Sequence, residues 1–115
     1  MEFGLYDEPA GAGTHIVYVQ GDIDLYSAPE LRQRADDLIA RGVTRMLIDL
    51  TQASFIDSTT LGVLVGTLKR LRLHDGLLTI ACDEPAILRV LEITGLDQVT
   101  GVYPTREEAL AGLDS

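Results

Sequence analysis

Residues 46–81 read MLIDLTQASFIDSTTLGVLVGTLKRLRLHDGLLTIA and carry the clearest indication of the fold class. Residues 46–50 form a short apolar run that is typical of a buried parallel strand, and residues 77–81 form another. Between them, apolar residues recur at intervals of three and four from Leu61 to Leu71, which predicts an amphipathic helix. Strand, helix and strand in this order predict a right-handed crossover between two parallel strands.

The same alternation continues on both sides of this unit. It predicts the order β-β-α-β-α-β-α-β-α, an α/β fold with a mixed, mainly parallel sheet of four to five strands and about four helices. The first strand is expected to be an antiparallel edge. The chain is predicted to be one domain, with an edge strand and turn in residues 1–13 and the core in residues 14–113. Strands are expected at residues 3–6, 16–19, 46–50, 77–81 and 99–103, and helices at residues 27–42, 58–75, 83–95 and 104–113.

Local signals refine the helix boundaries. Ser27 and Glu30 are spaced as a capping box at the first helix, and Thr105 and Glu108 have the same spacing at the last. Residues 51–57 are expected to be a brief connection between a strand and the central helix.

Composition narrows the classes of function. The chain has 115 residues with 18 acidic and 9 basic side chains, a net charge of −9. This charge argues against direct binding to nucleic acid or to an anionic membrane surface. It suits a basic protein partner, although solubility alone also explains it. The single cysteine, Cys82, the lack of a leader pattern and the lack of a ~20-residue apolar span predict a cytoplasmic protein.

No pattern for an enzyme site is present. The sequence has no phosphate-binding loop, no dinucleotide fingerprint and no nucleophile elbow. Two isolated histidines and one cysteine do not make a zinc site, and Cys82 is expected to be a small core residue. We therefore expect no catalytic residue, no metal and no cofactor.

Three carboxylates follow predicted strands, where α/β sheets bind ligands: Asp22, Asp24 and Asp57. Such a set could serve a magnesium-dependent phospho-aspartate receiver. However, the only lysine, Lys69, lies within a helix, and Asp57 comes seven residues after Leu50 rather than at the end of a strand. Both observations disfavour a receiver.

The stretch FIDSTTLG at residues 55–62 is the most informative. It places three hydroxyl side chains in the first turn of the central helix, where Ser or Asp can cap the free N–H groups. The same helix end also favours an anion. A phosphate on Ser58 would add nearly two negative charges beside Asp57 without melting the helix, and it would obstruct a partner docked there. The capping and phosphorylation interpretations do not exclude each other.

Several short motifs together resemble the STAS family, specifically the bacterial anti-sigma factor antagonists. The resemblance runs from about Thr14 to Leu113, and the order and spacing of its motifs are more specific than any one of them. The motifs are GDID at residues 21–24, SAPEL at 27–31, LIDL at 47–50, FIDS at 55–58, LG at 61–62 and TGL at 94–96.

This resemblance implies a partner-switching mechanism. The partner is an anti-sigma factor, a serine kinase of the histidine-kinase-like ATPase fold, which the unphosphorylated antagonist binds so that a sigma factor is released. The kinase phosphorylates a serine that corresponds to Ser58, and a PP2C-type phosphatase resets the cycle. The partner-binding residues implied in this way, or taken from the same turn, are Asp24, Asp57, Ser58, Thr59, Thr60 and Gly62.

One residue departs from the family pattern. Many members have glycine where Thr60 stands, and a β-branched residue there is expected to narrow access to Ser58. Thr59 and Thr60 are themselves alternative acceptors. Two other functions stay open: a constitutive STAS scaffold in which Ser58 only caps the helix, and a binder of nucleotides or small anions.

Overall fold

A five-stranded sheet organises the computed structural model, which describes residues 2–114. Met1 and Ser115, which the single-domain prediction included, lie outside the described residues. The elements in chain order are β1 (Gly4–Pro9), β2 (Thr14–Ile23), α1 (Ala28–Ala40), β3 (Arg45–Ile56), α2 (Ser58–Arg72), β4 (Leu77–Ala81), α3 (Pro85–Ile93), a 3-10 turn (Leu96–Gln98), β5 (Gly101–Tyr103) and α4 (Arg106–Gly112).

The strands lie in the sheet in their sequence order, from β1 to β5. β1 pairs antiparallel with β2, and all other pairs are parallel. The predicted α/β class, element order and antiparallel edge strand are therefore confirmed. Because Ile23 pairs with Ile56 at the ends of β2 and β3, the turns that follow these two strands lie side by side.

The central strand is buried on both faces, which explains its apolar run. Ile48 belongs to the main core cluster, to which α1, α2 and α3 contribute, whereas Leu47 packs with Ala109 and Leu113 from the region of α4. A continuous apolar sequence is what a strand covered on both sides requires.

β3 is longer than predicted. Residues 51–56 continue the strand instead of forming a connection, and they pair with β2 up to Ile56. β4 pairs with β3 only as far as Asp49, so among residues 2–114 the extension pairs with β2 alone. Its sequence mixes the buried Ala53 and Ile56 with exposed polar residues, so the apolar run that identified the strand stops before the strand does.

The two predicted capping boxes have different outcomes. Thr105 caps α4 by accepting a hydrogen bond from the Glu108 N–H at 3.1 Å, as predicted. The prediction for Ser27 is wrong, because its side chain caps no N–H group of α1. The Ser27 hydroxyl instead accepts a hydrogen bond from the Asp24 N–H at 2.9 Å and so stabilises the turn before the helix.

No helix within residues 2–114 combines the length and the apolar character needed to span a lipid bilayer.

Candidate functional site

Two adjacent turns form one end of the molecule. The β2–α1 turn comprises residues 24–27, and the β3–α2 turn is formed at Asp57, between the last residue of β3 and the first residue of α2. We define the apical surface at this end as the exposed residues Leu25, Tyr26, Phe55, Ser58 and Thr59 together with the half-buried Asp24. The parallel pairing of β2 with β3 places both turns at the same edge of the sheet.

Asp57, not Ser58, caps α2. The backbone of Asp57 is extended (φ −112°, ψ −176°), and its Oδ1 accepts a hydrogen bond from the Thr60 N–H at 3.0 Å. Ser58 is the first residue of α2 and is exposed, and its hydroxyl makes no hydrogen bond to any residue from 2 to 114. The helix end therefore does not need the Ser58 hydroxyl, which corrects the idea that this side chain serves as a cap.

The position of Asp57 also differs from the prediction. It follows Ile56, the last residue of β3, whereas the sequence suggested a seven-residue separation from the strand. Strand length therefore no longer argues against a receiver-like carboxylate site. Among residues 2–114, however, no three histidine, cysteine, aspartate or glutamate side chains come together as a metal site.

Thr60 faces the interior of the protein. It is fully buried, and its Oγ1 lies 3.2 Å from the Ile23 carbonyl oxygen and 3.2 Å from Asp57 Oδ1. A buried side chain cannot contact a docked partner or accept a phosphate in this conformation. The structure thus places Thr60 apart from the exposed side chains of the predicted partner-binding set, whose part in binding stays a prediction. For the same reason Thr60 does not cover Ser58, while Thr59 is exposed next to it.

Gly62 lies on the exposed side of α2, in a shallow groove of about 450 Å³ between α1 and α2. A Cβ at this position would meet no atom within 4 Å, so the groove beside Gly62 is open space. Ser58 and Thr59 line the same groove near its end. Arg70 lines it farther along α2, and its Nε lies 2.6 Å from Asp36 Oδ1 on α1.

Asp24 holds the β2–α1 turn in place. Its Oδ1 accepts hydrogen bonds from the Tyr26 N–H at 2.9 Å and the Ser27 N–H at 3.2 Å. The Tyr26 bond is the largest cause that lowers the pKa of Asp24 below its ordinary value. The turn displays two apolar side chains, because Leu25 is 57% and Tyr26 85% exposed.

The exposed apolar residues of the apical surface were missed by the sequence analysis. Besides Leu25 and Tyr26, Phe55 is 53% exposed and lines a small apolar pocket of about 100 Å³ beside α3. Large apolar residues in turns at the carboxyl ends of strands were the signal available in the sequence. Such residues usually mark a contact surface when they lie together.

Cys82 was the remaining candidate for a reactive side chain, and it is a structural residue. Cys82 is buried, and burial raises the pKa of its thiol. A protonated, inaccessible thiol is a poor nucleophile, which agrees with the prediction that Cys82 is a core residue.

Comparison with known proteins gives a consistent result. The sequence matches the family model described as "STAS domain" over residues 9–109. It is 37% identical over 91 residues to the anti-sigma-B factor antagonist of Bacillus subtilis, which covers 79% of this chain and 83% of that protein. The fold matches that of an anti-sigma factor antagonist from Mycobacterium paratuberculosis with a TM-score of 0.89 and 30% identity, covering 99% of this chain and 96% of the other.

A more distant structure shares the fold. The Bacillus cell fate determinant SpoIIAA in its phosphorylated form matches with a TM-score of 0.75 and 23% identity, covering 96% of this chain and 97% of that one.

Proposed function

The chain belongs to the STAS domain family, and from this premise we propose that it is an anti-sigma factor antagonist that is switched by phosphorylation of Ser58. Its unphosphorylated form binds an anti-sigma factor through the apical surface and so frees a sigma factor. It acts as a regulatory binding protein in the cytoplasm, without catalysis, cofactor or direct contact with nucleic acid or membrane. The names of the relatives support the anti-sigma factor as partner.

One observation supports the switch above all others. The Ser58 hydroxyl is exposed and takes no part in the hydrogen bonds among residues 2–114, while the neighbouring Asp57 performs the capping. A kinase can therefore modify the hydroxyl without breaking an internal contact. The N-terminus of α2 tolerates the new charge, because its free N–H groups and helix dipole favour an anion.

The apical surface explains why a phosphate would prevent binding. Leu25, Tyr26 and Phe55 offer apolar area for a partner, and Ser58 lies on the same surface. Phosphorylation would place a hydrated group with a charge of about −1.5 to −2 beside Asp57, in an area that is desolvated when a partner docks. A loss of about 3 kcal/mol would weaken binding ~150-fold.

The proposed family mechanism also names the enzymes that add and remove the phosphate. The anti-sigma factor itself is the serine kinase, with a histidine-kinase-like ATPase fold, and a PP2C-type phosphatase removes the phosphate. The existence of SpoIIAA in a phosphorylated form on this fold is compatible with that cycle.

A binding and phosphorylation experiment tests the proposal. We expect mass spectrometry to find one phosphate, on Ser58, after incubation with the cognate kinase and ATP. Ser58→Ala should bind the anti-sigma factor like the unphosphorylated protein, and Ser58→Asp should bind on the order of 100-fold more weakly. Ser58→Asn is the matched control, because it has the size of Asp without its charge.

Two results would contradict the switch. If Ser58→Asp and Ser58→Asn bind as tightly as the wild type, the protein is a constitutive STAS scaffold. If the phosphate lies on Thr59, the acceptor has been assigned to the wrong hydroxyl.

A further inference from the structure

Thr60 joins the two turns of the apical surface, and we propose that it is a positioning residue for Ser58. Its buried hydroxyl ties the end of β2 to the start of α2, so that Ser58 is held at a fixed place relative to the β2–α1 turn. The inference rests on the proposed function, because it concerns how Ser58 is presented to a kinase.

The contacts of Thr60 connect three points of the chain. Its Oγ1 lies 3.2 Å from the Ile23 carbonyl oxygen, one residue before Asp24. The same atom lies 3.2 Å from Asp57 Oδ1, one residue before Ser58, and the Thr60 N–H donates to that carboxylate oxygen at 3.0 Å. The Thr60 hydroxyl has one hydrogen, which these two acceptors can share, so it bridges the backbone that leads into the first turn and the side chain that caps the second.

The link is protected from water. Thr60 has no exposed surface, and Ile23 and Ile56, which end the two strands, are also buried. Water does not compete for the donor and acceptor of a buried hydrogen bond. Removal of the Thr60 hydroxyl would leave the buried Ile23 carbonyl oxygen without this donor. The bridge therefore resists the small shifts that an exposed turn would otherwise make.

Such a link matters for transfer of a phosphoryl group. A kinase that docks on Leu25 and Tyr26 must find the Ser58 hydroxyl at its reacting centre. Small errors in placement lower the rate of a reaction much more than they lower the affinity of docking. Loss of the bridge should consequently reduce kcat for phosphorylation and leave KM almost unchanged.

The chain provides a matched control in the same helix. Thr67 is also fully buried in α2, and its hydroxyl donates to the Val63 carbonyl oxygen at 2.8 Å, within α2 itself. Thr67→Val therefore removes a buried hydroxyl without touching β2. Thr60→Val removes the bridge, and Thr60→Ser retains the hydroxyl while deleting one methyl group.

Steady-state phosphorylation by the cognate kinase is the first measurement. We expect kcat to fall about tenfold in Thr60→Val with KM changed less than twofold, and to recover within about threefold of wild type in Thr60→Ser. Thr67→Val should keep the wild-type kcat at temperatures where it stays folded. An unchanged kcat in Thr60→Val, or an equal fall in Thr67→Val, would overturn the inference.

Amide hydrogen exchange followed by NMR tests the link without any kinase. We expect Thr60→Val, but not Thr67→Val, to speed exchange in residues 24–28 as well as in residues 58–61, because both turns lose the same tie. Faster exchange at residues 58–61 alone would overturn the positioning role. If the wild type accepts no phosphate, the proposed function fails, and the exchange result still decides whether Thr60 couples the turns.

Discussion

Asp57 and Ser58 are neighbours with separate tasks at the start of α2. The carboxylate of Asp57 satisfies a free N–H group of the helix, and the hydroxyl of Ser58 is left exposed. In sequence the two residues were equivalent candidates for the cap, because Ser and Asp are both favoured there. The extended backbone of Asp57 decides between them, since this conformation turns its side chain back toward Thr60.

This division of tasks predicts unequal costs of mutation. Asp57→Ala should lower the free energy of unfolding by about 1 kcal/mol, because the Thr60 N–H loses its partner, and Asp57→Asn should lower it less. Ser58→Ala should change it by less than about 0.5 kcal/mol. Urea denaturation measures all three variants. A cost for Ser58→Ala as large as that for Asp57→Ala would show that the serine has a structural role.

The edge strand β1 is attached by side chains as well as by its ladder to β2. Asp7 on β1 contacts two cationic or potentially cationic groups: its Oδ1 lies 2.8 Å from His15 Nε2 on β2, and its Oδ2 pairs with the Arg34 guanidinium on α1. Burial raises the pKa of Asp7, but the hydrogen bonds from His15 and Arg34 outweigh this, so the pKa lies below the ordinary value of 3.8.

The attachment of β1 should therefore depend on pH. Because the pKa of Asp7 is lower in the folded state, its charge stabilises the fold above about pH 4, and this contribution is lost as pH falls through the folded-state pKa. We expect the difference in unfolding free energy between wild type and Asp7→Asn to be larger at pH 6.5 than at pH 3. Asp37→Asn, on the exposed side of α1, is the control. A difference that does not vary with pH would contradict the prediction.

At the level of elements, the sequence predicted order and type better than boundaries. Continuous apolar runs identified the strands that are covered on both faces, such as residues 46–50. The same rule missed residues 51–56, where β3 extends beyond β4 and its pattern becomes mixed. Ser27 carried a sound capping signal, yet its helical backbone (φ −100°, ψ −25°) and its bond to the Asp24 N–H assign it to the turn.

The sequence predicted which segment of the chain holds the candidate site, but not which of its side chains are exposed. The hydroxyl run and the family motifs located residues 55–62 correctly at a strand-to-helix turn. Whether each side chain points outward depends on tertiary contacts, so the sequence could not separate the exposed Ser58 and Thr59 from the buried Thr60. The pairing of Ile23 with Ile56, which brings Tyr26 to the same edge, is likewise a property of the assembled sheet.

The whole molecule has two unlike ends. Tyr26, 85% exposed, lies at the end that carries Ser58, and Leu73, 82% exposed, lies beyond the C-terminus of α2 at the other end of that helix. Both side chains are large, apolar and exposed to solvent, so exposure alone does not show which of them binds a partner. Of the two, Tyr26 belongs to the apical surface, which also carries Ser58, whereas Leu73 does not.

This polarity predicts which exposed side chain carries binding energy. Tyr26→Ala should weaken binding of the anti-sigma factor at least about tenfold, since tyrosines that become buried when an interface forms are frequent hot spots. Leu73→Ala should leave the affinity unchanged, and both variants should melt within about 2 °C of wild type because both side chains are largely exposed. Calorimetric titration decides the point. Equal losses for the two variants would place the partner elsewhere.

The exposure of the Ser58 hydroxyl has a consequence for how fast the proposed switch responds. If the charge at Ser58 carries the signal, and its hydroxyl bonds to no residue from 2 to 114, adding or removing the phosphate breaks no internal hydrogen bond of that hydroxyl and requires no refolding. In the proposed cycle, the speed of the response is then set by the turnover of the proposed kinase and phosphatase. The conformation then does not depend on earlier phosphorylation, so repeated cycles of phosphorylation and dephosphorylation should show no hysteresis.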